Sequence, residues 1–331
     1  MSARGWCRGI ALAGLGLLSG GPHAADTPVI EAVAAGTAHD ALFSIALEGS
    51  TALAVGAAGV IVESRDGGVT WRRTQSPTGD GALLGAAIQG ERSIVVGQYG
   101  RILLRTGDRE WRRVESGVDE RLFAVALNAA GRAAAVGAFG VILLSNDGGE
   151  NWSRCSPDWS RHVADGLEPH LYDVTVGEDG AVTVVGELGV ILNSADGGAS
   201  WVQAPGGRRA GDQAEESWFA VHVRADGVGY AVGQQGAVVR TADRGRTWER
   251  VDTGSRANLF GVAALPAGHV IIAGMFEMIF SSDDGLSWRP VNGQDASRGW
   301  YQGVATAVAT DAALLVGQGG RISRVRADLL E

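Results

Sequence analysis

One spacing of potentially reactive residues recurs along the chain, Ser/Thr-x-Asp-x-Gly-x-Thr/Ser-Trp. It reads Ser64, Asp66, Gly68, Thr70, Trp71, and then Ser194, Asp196, Gly198, Ser200, Trp201. Thr241, Asp243, Gly245, Thr247, Trp248 and Ser281, Asp283, Gly285, Ser287, Trp288 repeat it. Ser145, Asp147, Gly149, Asn151, Trp152 nearly matches, and Asp108 to Trp111 is a shortened copy. One carboxylate per copy is too few oxygens for calcium, which takes about 6–8. The chemistry these residues do supply is local. Asp and Ser cap backbone N–H groups in a tight turn, Gly takes a left-handed conformation, and Trp folds back with its N–H on a partner. The Asp and Trp of each copy are therefore assigned a structural role.

Other reactive side chains are sparse. Cys155 is the one cysteine beyond residue 25, so no internal disulfide is available there, and no base adjoins it to make a nucleophile. His162 and His170 share a segment with Asp165 and Glu168, but the spacing matches no metal motif. No catalytic residue, metal or cofactor is expected.

The Asp-bearing turns sit inside a larger period. An apolar-Gly pair returns at Val55-Gly56, Val96-Gly97, Val136-Gly137, Val185-Gly186, Val232-Gly233, Ala273-Gly274 and Val316-Gly317, at intervals of 40 to 49 residues. A period of that length with strand-like runs signals a propeller. Each unit opens on a run such as "LFSIAL", "LFAVAL" or "LYDVTV", continues to the Val-Gly, turns into a third run such as "VIVES", and ends on a run that starts at a Trp. Four short runs separated by Gly and Asp turns read as an antiparallel sheet. The expected fold is all-β: a seven-bladed β-propeller of four-stranded antiparallel blades, forming one domain over residues 26–331. Small residues in the first runs, including Ala46, Gly85, Ala86, Ala124, Ala220, Gly261 and Gly303, fit innermost strands crowded around an axis. The last unit stops after "RISRVR" without a Trp run. The orphan strand at 28–34 is expected to supply the outer strand of that blade and close the ring, which removes a vulnerable edge.

Composition limits the function classes. The chain has 331 residues, 51 of them Gly, is 45% hydrophobic, and carries a net charge of −9. All its basic residues are Arg. An acidic chain is a poor generic nucleic-acid binder. Residues 1–25 place Arg4 and Arg8 ahead of an apolar run from Ile10 to Leu18 and end on small residues at Ala24-Ala25. That is the pattern of a secretory signal, with cleavage expected after Ala25. Export to a periplasm, or to a thylakoid lumen in a photosynthetic source, follows as the expectation. No later apolar stretch is long enough for a spanning helix.

The Asp turns are the Asp-box, or BNR, repeat. With the preceding V-G-x-x-G hairpins they resemble the photosystem II stability and assembly factor family over about residues 28–326. The resemblance implies a non-enzymatic propeller that holds newly made reaction-centre protein during assembly of a membrane complex. Similar domains occur in bacteria without photosynthesis, so an accessory protein of an envelope exporter is the alternative. Sialidases also carry Asp boxes, but they use a Tyr nucleophile and an Arg-Ile-Pro motif. Here Arg101-Ile102 leads to Leu103 and Arg321-Ile322 to Ser323, which makes a glycosidase the weaker reading.

Antiparallel alternation puts the V-G-x-x-G turns and the loops leading into first strands on one face, opposite the Asp boxes. The two longest intervals place extra residues at 153–170 and 203–217, both on that face. Arg161, Arg208 and Arg209 lie in them. Arg121, Arg256 and Arg298 precede first strands, and Arg101 and Arg321 follow the hairpin turns, whose tips include Tyr99, Phe139 and Phe276. Arg and aromatic residues anchor interfaces, so these positions are expected to bind a protein or peptide partner.

Overall fold

The computed structural model describes residues 30–206, 216–265, 267–291, 294–307 and 312–326. The signal-like segment, Arg208 and Arg209 lie outside the described residues. The chain forms seven four-stranded antiparallel sheets. In blade 1 the strands are Leu42–Glu48, Thr51–Gly56, Val60–Ser64 and Arg72–Gln75. Five more blades follow in the same order. The seventh takes three strands from the C-terminal part and its outer strand, Ile30–Ala34, from the N-terminal part. That strand pairs antiparallel with Ile322–Arg326, in the register Ile30 with Val325 and Glu31 with Arg324. The ring is therefore closed by chain ends that are far apart in sequence, as the missing Trp run predicts.

Middle strands carry near-continuous apolar residues because both their faces pack against neighbouring blades. Ala52, Leu53, Ala54 and Val55 are essentially inaccessible, as are Ile94, Val95 and Val96. The core is a series of wedges between blades. One joins Leu42, Ala54 and Val62 of blade 1 to Leu314, Val316 and Ile322 of blade 7, with Trp71 and Val33 packed on it.

The recurring Val-Gly has a steric cause. A Cβ on Gly56 would lie 2.0 Å from the carbonyl oxygen of Ala41, and one on Gly137 would lie 2.0 Å from that of Arg121. The loop leading into each first strand crosses the hairpin there and accepts its N–H: Ala57 to Ala41 and Ala138 to Arg121, both 2.9 Å. Only glycine lets the two backbones meet so closely. The crossing also disturbs pairing. In every blade the first two strands slip by one residue just after the start: Leu42 opposes Gly56, but Ser44 opposes Val55. The same slip follows Leu83, Leu122, Leu171, Trp218, Leu259 and Tyr301. It is a β-bulge, which leaves one residue unpaired and re-aims its side chain.

The small residues of the first strands serve contact between blades. A Cβ on Gly261 would meet the Gln302 carbonyl oxygen at 2.6 Å, and one on Gly85 would meet Ala124 Cα at 2.8 Å. Ala86, Ala124, Ala220, Gly261 and Gly303 border the neck of the axial cavity as expected, while its mouth is lined by larger side chains.

Candidate binding face

Asp boxes and hairpins lie at opposite ends of the blades. In blade 1 the Asp box links the third and fourth strands, and the hairpin links the second and third. The five full boxes share one carboxylate network. Ser64 Oγ donates to Asp66 Oδ1 at 2.7 Å and accepts from Gly68 N–H at 2.9 Å, while Thr70 donates to Asp66 through its N–H and its hydroxyl. The Trp71 indole N–H closes the turn on Gly68 O at 3.0 Å. The boxes at Asp147, Asp243 and Asp283 repeat this network, with Trp152, Trp248 and Trp288 bonded alike. Trp201 differs, donating to Cys155 O at 2.9 Å because the preceding insertion brings that carbonyl under it. The Thr70 hydroxyl and N–H hold the Asp66 carboxyl well below the usual carboxylate range. Similar donors from Asn151, Ser200 and Ser287 hold Asp147, Asp196 and Asp283 down at about 2. Each of these five carboxylates is occupied by its own turn, whereas Asp108 of the shortened copy pairs with Arg65.

On the hairpin face, the bulge delivers the second residue of each first strand to the axis: Phe43, Leu84, Phe123, Tyr172, Phe219, Phe260 and Gln302. Together with Met275 and Trp300 they line a bowl of about 480 Å³. Phe123, Tyr172, Phe219 and Phe260 form a continuous aromatic arc, with ring centroids 5.4 to 5.7 Å apart. Phe43 stacks on Trp300 across the other side at 6.3 Å. Below the ring a neck of about 270 Å³ bears Ser44, Asp173, Thr175 and His222. Tyr172 is fixed by its hydroxyl, which donates to Glu187 at 2.8 Å. The sequence signal for the bowl was present, since most first runs read Leu-aromatic or Trp-aromatic, but strict alternation would have turned that position elsewhere.

A second concavity of about 350 Å³ lies between the hairpins of blades 2 and 3. Gln98, Tyr99, Glu120, Arg121, Phe139 and His170 line it, and Phe123 is shared with the bowl. His170 stacks edge-on against Phe123 and Phe139, and its Nδ1 accepts the Phe139 N–H at 3.2 Å. The 153–170 insertion is partly a brace. Trp159 is buried in the core between blades 3 and 4, and Pro169 O accepts the Gly140 N–H at 2.7 Å. Arg161 stays exposed beside Asp158, 3.3 Å away.

The hairpin tips are backbone-strained. Ala58, Tyr99, Phe139, Leu188, Gln235 and Phe276 all have φ between 52° and 59°. That conformation costs a residue with a side chain on the order of 1 kcal/mol or more. Blade 7 uses Gly319 at the same place. Tyr99, Phe139 and Phe276 are nevertheless large there, and 56–69% exposed.

The arginines divide. Arg121, Arg256 and Arg298 are exposed and, among the described residues, pair with no carboxylate. Arg321 is half-buried beside the blade 7 turn. Arg101 is buried, and its guanidinium donates to Gly81 O at 2.9 Å and Thr78 O at 3.1 Å. It braces the loop leading into blade 2, so its expected place on a partner surface is corrected. The Cys155 thiol is half-buried and pushed up by burial, which disfavours the reactive thiolate.

Residues 154–264 match the family described as Photosynthesis system II assembly factor YCF48. A solved structure of YCF48 bound to D1 peptide superimposes with a TM-score of 0.70 at 19% identity, covering 92% of this chain and 98% of that one. YCF48 from Cyanidioschyzon merolae gives 0.71 at 18% identity, covering 90% and 99%. A GH74 xyloglucanase from Xanthomonas campestris gives 0.68 at 16% identity, covering 90% of this chain but 53% of the enzyme. No curated protein matches the sequence. The chain is a seven-bladed BNR propeller that resembles the photosystem II assembly factor family.

Proposed function

We propose that this chain is an exported, non-enzymatic propeller whose hairpin face holds a protein or peptide segment during assembly of a membrane protein complex. Its place of action on this reading is the periplasm, or the thylakoid lumen of a photosynthetic cell. The observation that carries the reading is the set of exposed aromatic tips at Tyr99, Phe139 and Phe276. Each keeps a large ring in solvent on a left-handed backbone that glycine would hold with less strain. Neither folding nor solubility asks for that, while partner contact does, because aromatic and Arg residues dominate interface energy. Arg121 beside Tyr99 and Phe139 adds a bidentate donor for a partner carboxylate. The likeness to YCF48 bound to D1 peptide supports a peptide as the occupant.

The test is capture of partners from the source organism's envelope by the mature protein. The variant Tyr99→Ala/Phe139→Ala/Arg121→Glu is expected to lose at least ten-fold of the captured protein with its fold intact. Equal capture would overturn the assignment of this face. A photosystem subunit among the captured proteins supports the assembly role, and an exporter subunit supports the accessory role. Turnover of glycoside reporters would overturn the non-enzymatic reading.

A further inference from the structure

The axial cavity has a built polarity that the rim reading does not use. Its upper part is an aromatic bowl, its lower neck is polar, and the ring of second-position residues borders both. Among the described residues lining either part, Asp173 is the one carboxyl. Its Oδ1 accepts the Val174 N–H at 2.8 Å and its Oδ2 accepts the Val221 N–H of blade 5 at 2.9 Å. A carboxylate has about four acceptor sites, so two remain for the cavity.

Structure alone does not call for a carboxyl there. The matching residue is Ser44 in blade 1, and its hydroxyl accepts the Ala86 N–H of blade 2 at 3.2 Å. The other blades place Gly85, Ala124, Ala220, Gly261 and Gly303 at the same step after the bulge. Bridging two blades is thus done with a hydroxyl or with nothing.

Among the described residues, the strands packed around Asp173 carry no Arg. The strands packed against its own are Leu122–Leu127, Ala133–Gly137, Val182–Gly186 and Trp218–Val223. The only titratable side chain on them is His222, and burial holds it down to about 4, so it is neutral at pH 7. Tyr172, on the same strand, is already bonded to Glu187. Aromatic walls over a single carboxyl suit a cation with an apolar body, since ring faces attract ammonium groups and the stem buries against the rings.

We propose that the axial cavity binds an ammonium group carried on an apolar stem, the stem in the Phe43–Phe123–Tyr172–Phe219–Phe260 ring and the ammonium on Asp173. A free amphiphilic amine and a lysine side chain of a bound protein share this chemistry. Burial pushes Asp173 up to about 7 while the cavity holds no cation, so binding strengthens as pH rises and the carboxyl ionises.

Calorimetry on the mature protein with three probes that share one phenylpropyl carbon skeleton tests this: 3-phenylpropylammonium, 3-phenylpropanol and 3-phenylpropionate. At pH 8 the ammonium is expected to bind at least ten-fold more tightly than the other two, and the preference shrinks at pH 5.5. Asp173→Asn erases the preference yet keeps the affinity for the alcohol, and Phe219→Ala weakens all three probes. Asp173→Ser, which copies blade 1, gives the same readout should the Asn variant fail to fold. Binding of Nα-acetyl-lysine-methylamide, whose side-chain ammonium is free, would assign the site to a partner's lysine, and its failure beside a bound ammonium would assign it to a free amine. Equal affinity for the three probes, no binding of any, or a preference that survives at Asp173→Asn and Asp173→Ser would overturn the proposal.

Discussion

Two neck residues make opposite demands on pH. Asp173 has its carboxyl raised from 3.8 to about 7 by burial, against the pull of two backbone donors. Folding favours its protonated form, so its contribution is full below about pH 4 and is lost as pH rises to 7. His222 is lowered from 6.5 to about 4, first by burial and then by the charge of Arg224. Its contribution is full above about pH 6.5 and is lost as pH falls toward 4. Thermal melts should therefore show that Asp173→Asn removes a loss on the alkaline side and His222→Gln removes one on the acid side. Parallel curves for both variants would refute these environments. At the rim, Tyr99→Gly separates fold from function. The melting temperature should move little, because glycine accepts the 59° φ, while partner capture falls. A large drop in melting temperature would mean that Tyr99 is structural.

At the scale of elements, two turns divide the labour. The Asp box is a self-contained staple, with Asp283 receiving the Ser281 hydroxyl, the Ser287 hydroxyl and the Ser287 N–H. Its depressed carboxyl stabilises the fold above the ordinary carboxylate range and ceases to do so as pH falls through about 2. Asp283→Ala should lower the melting temperature at pH 7, with the gap to the parent closing toward pH 2. A gap independent of pH would point to lost packing instead. The hairpin is a crossing point. At Gly100 a Cβ would meet the Val118 carbonyl oxygen at 1.8 Å, and φ is +58°. Gly100→Ala should therefore destabilise strongly, as read by chemical denaturation, whereas an added Cβ on Gly49 meets no described residue within 4 Å beyond its chain neighbours, so Gly49→Ala is disfavoured only by its φ of +56°.

At the scale of the molecule, the ring depends on its seam. Ile30–Ala34 covers the edge of Ile322–Arg326, and Val33 and Ala34 pack on the wedge between blades 7 and 1. A chain starting at residue 37 should show a sharply lower melting temperature and a tendency to associate through the bared edge. An unchanged melt would mean that the ring holds without its seam. The same closure creates the axis, so a face built from seven separate turns becomes one concave surface about a bowl.

The sequence by itself determined the blade count, the four-run unit, the opposite placement of Asp boxes and hairpins, and the seam. Each of these rests on local turn chemistry or on a period that survives in one dimension. Tertiary structure decided what faces the axis and which arginines reach solvent. The Phe43 side chain enters the bowl because a carbonyl crossing Gly56 displaces the strand register by one, and alternation within a single strand carries no sign of that crossing. Arg101 and Arg121 look alike in sequence. Arg101 is drawn inward by the carbonyls of Thr78 and Gly81, groups about 20 residues away that only folding brings within reach.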